Sequence, residues 1–267
     1  MKVFVIGGTG YIGMSSVEAL KARGHSVVAL IRTEAQQVPL QKLGVDTLVG
    51  DIAQSDSLVP AIQSSNGVVY AAAGQSEAYS KIEQQAIEHI LTTLEGSNKP
   101  FVKITGSLVF GDTGLDGKTE TDDFAAPPPL AGAAELAQML KIAANKGIRT
   151  AQIFASYIYG RGGGDIPQMM LGIAKQRGES VYIADGEAMW SSVHVDDVGQ
   201  LVALAVEQAS AGSVLFPVAS VVSLKEIAQA IADATGVDRI TSLSMEEAQQ
   251  VLGFFCVSAH AQPGIQR

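Results

Sequence analysis

MKVFVIGGTGYIG, residues 1–13, is the stretch that decides the fold. An apolar run, Val3 to Ile6, leads straight into a glycine-rich turn. The residues after the turn have amphipathic-helix spacing, with Val17, Ala19 and Leu20 on the apolar face and Gly24 as the stop. Strand, glycine turn and helix in that order form the phosphate corner of a dinucleotide-binding fold. Gly7 and Gly10 let the backbone turn tightly against a pyrophosphate, and Gly13 lets the helix approach the sheet. The phosphates then rest on helix N-terminal N–H groups. The glycines satisfy two spacings at once, Gly7-Gly10-Gly13 as GxxGxxG and Gly8-Gly10-Gly13 as GxGxxG. Gly7, Thr9, Gly10, Tyr11, Ile12 and Gly13 are therefore the expected cofactor contacts of this segment. The competing reading is a glycine turn joining strand to helix in some other α/β protein.

Working outward, strand-like runs recur at 25–31, 45–50, 67–73, 100–105, 149–155 and 213–218. Helical stretches separate them, at 11–23, about 55–64, 78–95, 131–146 and 196–209. Alternating strands and helices imply right-handed crossovers and a doubly wound parallel sheet of α/β class, a Rossmann fold of about seven strands. Residues 162–190, which open with Gly162-Gly163-Gly164, and the helical tail from Ser223 onward fall outside that alternation. The expected division is a Rossmann core of 1–161 and 191–219, with a small substrate lobe of 162–190 and 220–267 over the carboxyl edge of the sheet.

The chain has 267 residues, enough to bury roughly three quarters of its unfolded surface. Eighteen Lys and Arg stand against 27 Asp and Glu, a net charge of −9 without a basic cluster, which argues against a nucleic-acid partner. One cysteine, Cys256, excludes an intrachain disulfide and reads as a small apolar filler. No apolar run approaches the roughly 20 residues of a membrane helix, so a soluble, cytoplasmic protein with no membrane partner is expected. No His/Cys/Asp cluster has metal-ligand spacing, and there is no GxSxG nucleophile, so no metal is expected.

The end of the second strand selects the cofactor. In adenine-dinucleotide folds an acid there accepts hydrogen bonds from the free ribose hydroxyls of NAD. This chain carries Arg32, nineteen residues after Gly13. A guanidinium pairs with a 2′-phosphate, so NADP(H) is the expected cofactor; the alternative is a solvated charge at a strand end. Asp51, with Ile52, follows the third strand and is placed to bond the adenine amino group, or equally to cap a turn. Ala71, Ala72 and Ala73 leave room for the ribose.

By these residues the chain resembles the extended and atypical short-chain dehydrogenase/reductases, in the NAD-dependent epimerase/dehydratase-like group. The resemblance runs over GGTGYIG, GDIAQSD, VVYAAAG, ITGSLVFGDTG, SYIYGRGGG and WSSVHVDDVGQLVALAVE. It implies a seven-stranded Rossmann domain, bound NAD(P), a C-terminal substrate lobe and a Ser/Thr, Tyr and Lys at work. Thr105 matches the Ser/Thr position, with Ser107 as alternate. Leu130 stands at the Tyr position and Ala134 at the Lys position. Phe154-Ala155 replaces an Arg-Pro ahead of Tyr159-Gly160, and the tail finishes SAHAQPGIQR, whereas relatives often continue past a short Leu-Gly-Trp segment. Relatives often pair through helices matching 78–95 and 131–146, so the resemblance makes a homodimer one expectation; Ala131, Gly132, Ala133 and Ala134 would permit close approach there, or equally suit an internal contact.

A missing general acid costs about 10²–10⁴ in rate. Tyr157 and Tyr159, two apart on an extended segment, are the expected replacements, against a reading in which both rings only pack. Tyr182, His194 and Asp196 are further candidates. The expected function is an NADP(H)-dependent oxidoreductase, or an isomerase using the same hydride chemistry, on a small carbonyl- or hydroxyl-bearing substrate. Thr105 would hold the reacting oxygen. The rival, which Leu130 and Ala134 favour, is a non-catalytic NADP(H)-binding regulator. A lyase or dehydratase with permanently bound cofactor is the third reading.

Overall fold

The structure, a computed structural model, describes residues 1–74, 76–114 and 117–253. Within them the apolar runs form strands and the periodic stretches form helices in this order: β1 (Lys2–Ile6), α1 (Tyr11–Ala22), β2 (Ser26–Ile31), α2 (Gln37–Gln41), β3 (Asp46–Val49), α3 (Val59–Ser64), β4 (Gly67–Tyr70), α4 (Glu77–Leu94), β5 (Pro100–Gly106), α5 (Ala131–Ala143), β6 (Arg149–Ala155), β7 (Tyr157–Tyr159), α6 (Asp165–Arg177), β8 (Ser180–Ile183), β9 (Met189–His194), α7 (Val195–Gln208), β10 (Ser213–Leu215), β11 (Ser220–Ser223), α8 (Leu224–Thr235), β12 (Ile240–Leu243) and α9 (Met245–Leu252).

The chain groups into two compact units. Residues Met1–Thr105, Ala131–Phe154 and Val195–Leu215 make the first; Gly106–Leu130, Ala155–His194 and the described residues from Phe216 onward make the second. Residues 106–130, 155–161, 191–194 and 216–219, placed with the Rossmann core in the sequence reading, fall in the second unit. Cys256 and the SAHAQPGIQR tail lie outside the described residues.

The first unit holds a seven-stranded parallel sheet in the order β10-β6-β5-β4-β1-β2-β3, with Val3 opposite Val27 on one side and Gly67 on the other. Its central strands β1, β4, β5 and β6 are buried on both faces, which is why they read as largely continuous apolar runs rather than alternations. Alternate residues feed two cores. Val3, Val5, Val69, Val102 and Ile104 pack with Val17 and Leu20 of α1 and Val202 and Val206 of α7. Phe4, Ile6, Val68, Tyr70 and Phe101 pack with Ile87, Ile90 and Leu94 of α4 and Leu136 and Leu140 of α5.

Ser15 Oγ donates to Val195 O at 3.0 Å and lies 3.4 Å from Asp196 Oδ1, so Asp196 braces α1 against α7. At the other end of α7, Arg149 donates to the carbonyls of Val206 (2.6 Å) and Ala209 (2.9 Å), groups a helix leaves without partners at its C-terminus. Glu207 takes Arg23 Nη2 at 2.5 Å and His25 Nε2 at 2.9 Å. Those two hydrogen bonds hold its carboxyl at about 2, well below the usual carboxylate range.

In the second unit β9 lies between β11, antiparallel, and β7, parallel, while β8 pairs parallel with β12. Tyr157, Met170, Trp190, Leu224, Ile227 and Leu243 form its core. The tail from Ser223 is thus not purely helical. Ile240–Leu243 is a strand, and its partner Ser180–Ile183 lies some sixty residues earlier, beyond the reach of local pattern.

Candidate active site

The glycine turn is built by contact as much as by local preference. Gly7 has φ +84°, and a Cβ on it would meet Ala72 N at 2.5 Å and Ala71 C at 2.7 Å. A Cβ on Gly13 would overlap Gly7 O, so α1 approaches the turn as closely as backbone allows. The loops after β1 and β4 therefore touch through their backbones at the point where strand order reverses, the place at which open α/β sheets take their ligands. Gly10 caps α1 without a side chain, and the first intrahelical bond is Met14 N to Gly10 O at 2.8 Å. The Ile12 and Gly13 amides precede it in the first turn, where anions are favoured.

Arg32 is exposed just past β2. Its amide and that of Thr33 donate to Gln36 Oε1 at 2.8 and 3.2 Å, and Gln36 Nε2 reaches Thr9 Oγ1 at 3.4 Å. This one glutamine draws Thr9, Arg32 and Thr33 together. Asp51 caps the turn that begins at Ile52, its Oδ1 accepting from Ala53 N at 2.9 Å. Ala71 and Ala72 are half-buried and Ala73 is exposed. The ladder of β4 stops at Tyr70, three residues earlier than its apolar run, because this segment turns across Gly7.

Thr105, half-buried near the end of β5, does not stand alone. Lys103 Nζ donates to Thr105 Oγ1 at 2.9 Å and lies 3.3 Å from Glu83 Oε1 of α4 and 5.7 Å from the centroid of the Tyr70 ring. Tyr70 and Tyr79 share a hydroxyl–hydroxyl bond of 3.3 Å, and the Tyr79 ring sits on the backbone of Gly74. Burial raises the Tyr70 and Tyr79 phenols. It lowers the Lys103 ammonium, against the opposing pull of Glu83. The sequence reading passed over Lys103 and Glu83, although one signal was present: a lone cation within the apolar run PFVKIT.

The expected replacement tyrosines belong to the second unit and differ from each other. Tyr157 is 8% exposed and packs edge-on to Trp190, 6.5 Å between centroids, in that unit's core. Tyr159 is 39% exposed and meets His194 edge-on at 5.5 Å. Ser107, the alternate to Thr105, is buried with no hydrogen-bond partner for its hydroxyl among the described residues. Leu130 closes the turn before α5, with Ala134 in the helix's first turn; Ala131 and Gly132 are exposed and Ala133 and Ala134 half-buried. Among the described residues no group of three or more His, Cys, Asp or Glu is arranged to hold a metal, and no helix is long and apolar enough to cross a membrane.

A doubly wound parallel sheet with a glycine corner at its switch point defines a dinucleotide-binding α/β protein of Rossmann type. More narrowly, residues 3–216 match the NAD dependent epimerase/dehydratase family, and the chain belongs to it. It is 30% identical over 260 residues to an uncharacterized protein of Schizosaccharomyces pombe, covering 95% of this chain and 87% of that one. It is 24% identical over 276 residues to the 2-alkyl-3-oxoalkanoate reductase of Stenotrophomonas maltophilia, covering 96% and 82%. The fold is shared with the dTDP-glucose 4,6-dehydratase of Streptomyces venezuelae crystallised with NAD, at TM-score 0.77 and 17% identity over 98% of this chain and 95% of that one.

Proposed function

We propose that the protein is an NADP(H)-dependent oxidoreductase that reduces a small carbonyl compound, or an isomerase using the same chemistry, without the usual Tyr and Lys of its family. The observation that carries this reading is the corner where Gly7, Gly13 and the Ala71–Ala72 backbone meet, with Arg32 exposed beside Thr9 and Thr33. The donor set fits a dinucleotide carrying an extra phosphate. First-turn amides of α1 suit the pyrophosphate, and the exposed Arg32 at the end of β2 suits a 2′-phosphate. NADPH supplies the hydride when bound. The chain's own part is to hold the substrate oxygen through the Thr105 hydroxyl; of the tyrosine pair in the second unit, Tyr159 is the phenol open to solvent. The reductase among the relatives supports the same reaction class.

Fluorescence titration with NADPH and NADH, followed by NADPH consumption over a carbonyl panel, tests it. Tighter binding of NADPH and turnover of at least one ketone are expected. Equal or tighter NADH binding removes the argument from Arg32. Tight NADPH binding without turnover on any carbonyl favours the second reading, a cofactor-binding regulator, for which the apolar Leu130 and Ala134 speak.

A further inference from the structure

Strand β5 runs Pro100-Phe101-Val102-Lys103-Ile104-Thr105-Gly106. Val102 and Ile104 point into one core and Phe101, Lys103 and Thr105 to the opposite face, so the lysine stem rises within the apolar layer between the sheet and α4. Lys103 is only 5% exposed. Taking an ammonium out of water is unfavourable, and a methionine of similar length would fill the space without that cost. The ammonium is met by Glu83 Oε1, Thr105 Oγ1 and the Tyr70 ring face. The stem therefore leads the charge forward along the strand, to a hydroxyl at its carboxyl end.

We propose that Lys103 is the positioning residue for Thr105: by donating to Oγ1 it directs the threonine's own hydrogen outward, as the donor to a substrate carbonyl oxygen. The inference rests on the carbonyl-reductase reading and extends it. A hydroxyl has one hydrogen, and once its oxygen accepts from Nζ that hydrogen must point away from the lysine. A charge-assisted bond into the oxygen also polarises the O–H and strengthens what it donates. When the substrate oxygen takes the Thr105 proton, forming one O–H bond as another breaks, Oγ1 recovers a proton from the ammonium. The resulting neutral amine takes one back from water. One proton thus passes from water to the substrate oxygen, and Thr105 and Lys103 end as they began. Burial, which eases loss of the lysine proton, suits this step, and Glu83 opposes it; burial raises the phenols of Tyr70 and Tyr79, the other titratable groups of the cluster, so they stay protonated.

The test uses the full chain and two readouts. The first needs no turnover. With lysine side chains labelled at nitrogen and followed by NMR against pH, the resonance lost in Lys103→Met is assigned to Lys103. It should titrate below the ordinary lysine value of about 10.4, and at least about half a unit lower still in Thr105→Val, because an acceptor for the charged form is gone. An unchanged titration in Thr105→Val overturns the proposal.

The second readout is NADPH oxidation with ethyl acetoacetate as probe. Lys103→Met and Thr105→Val should each lower kcat about 30-fold with KM within about threefold, and the double variant should be no worse than either single. Lys103→Arg should not restore the rate, since a guanidinium does not release its proton. A folded Lys103→Met with the parent kcat, or losses that multiply in the double variant, also overturns it. If Lys103→Met does not fold, the resonance lost in Lys103→Arg, which keeps a cation in place, supplies the assignment, and Thr105→Val carries both readouts. If the parent protein oxidises no NADPH, the reductase reading fails by itself, and the titration still decides whether Lys103 holds Thr105.

Discussion

At the amino edge of the seven-stranded sheet every cation described above is occupied by the fold. Arg149 is spent on the last carbonyls of α7, and Arg23 and His25 on Glu207. At the carboxyl edge the pattern inverts: Arg32 is exposed, the Gly7 corner is backbone only, and Lys103 is turned toward a half-buried hydroxyl. The amino-edge contacts join α1 and β6 to α7, so they act on stability. The carboxyl-edge groups face the position where a parallel sheet presents its strand ends and helix N-termini to a ligand, and the proposed function assigns them to binding.

The contrast breaks most completely at Gly13, where packing and binding coincide. Gly13→Val forces a side chain into Gly7 O, and we expect a loss of about 3 kcal/mol in denaturant unfolding together with loss of NADPH binding. Arg149→Met should separate the two edges. Unfolding free energy falls by about 2 kcal/mol as the helix-end carbonyls lose a charged donor, while NADPH affinity by fluorescence titration stays within twofold of the parent. Arg32→Ala should do the reverse, weakening NADPH on the order of ten- to a hundredfold with NADH and thermal stability unchanged.

The smallest effect belongs to Glu207. Its folded pKa of about 2 lies below the ordinary glutamate value of 4.5, so its contribution is present above pH 4.5 and fades as pH falls through that window toward 2. Because Arg23 is about a third exposed, solvent screening holds the amount to about 1 kcal/mol. Glu207→Gln should cost that much in unfolding at neutral pH and nothing at pH 2. An equal cost at both would mean that packing, not charge, joins Glu207 to its partners.

Much of the fold was legible because its central strands are buried on both faces and its helices on one. The helix expected to stop at Lys146-Gly147 ends so, its last turn tightening over Ala144–Lys146 before Gly147 turns left-handed. Asp51 could be read two ways, and its cap on Ala53 is the local one. Tyr157 and Tyr159 share a parity along the chain, yet one lies in a core and the other is open to solvent. Spacing tells which side of a strand a residue takes and not what the neighbouring elements place there.

The sequence by itself determined the alternation of strands and helices, the glycine corner and the cation after β2, because apolar period, turn chemistry and a strand-end position are all local properties. Only the tertiary structure decided that Lys103 meets Glu83, Tyr70 and Thr105, and that β8 pairs with β12. Glu83 and Tyr70, like the β8–β12 pair, come from separate elements of the chain brought together by tertiary packing, and a charge buried in an apolar strand acquires a role only from what it then faces.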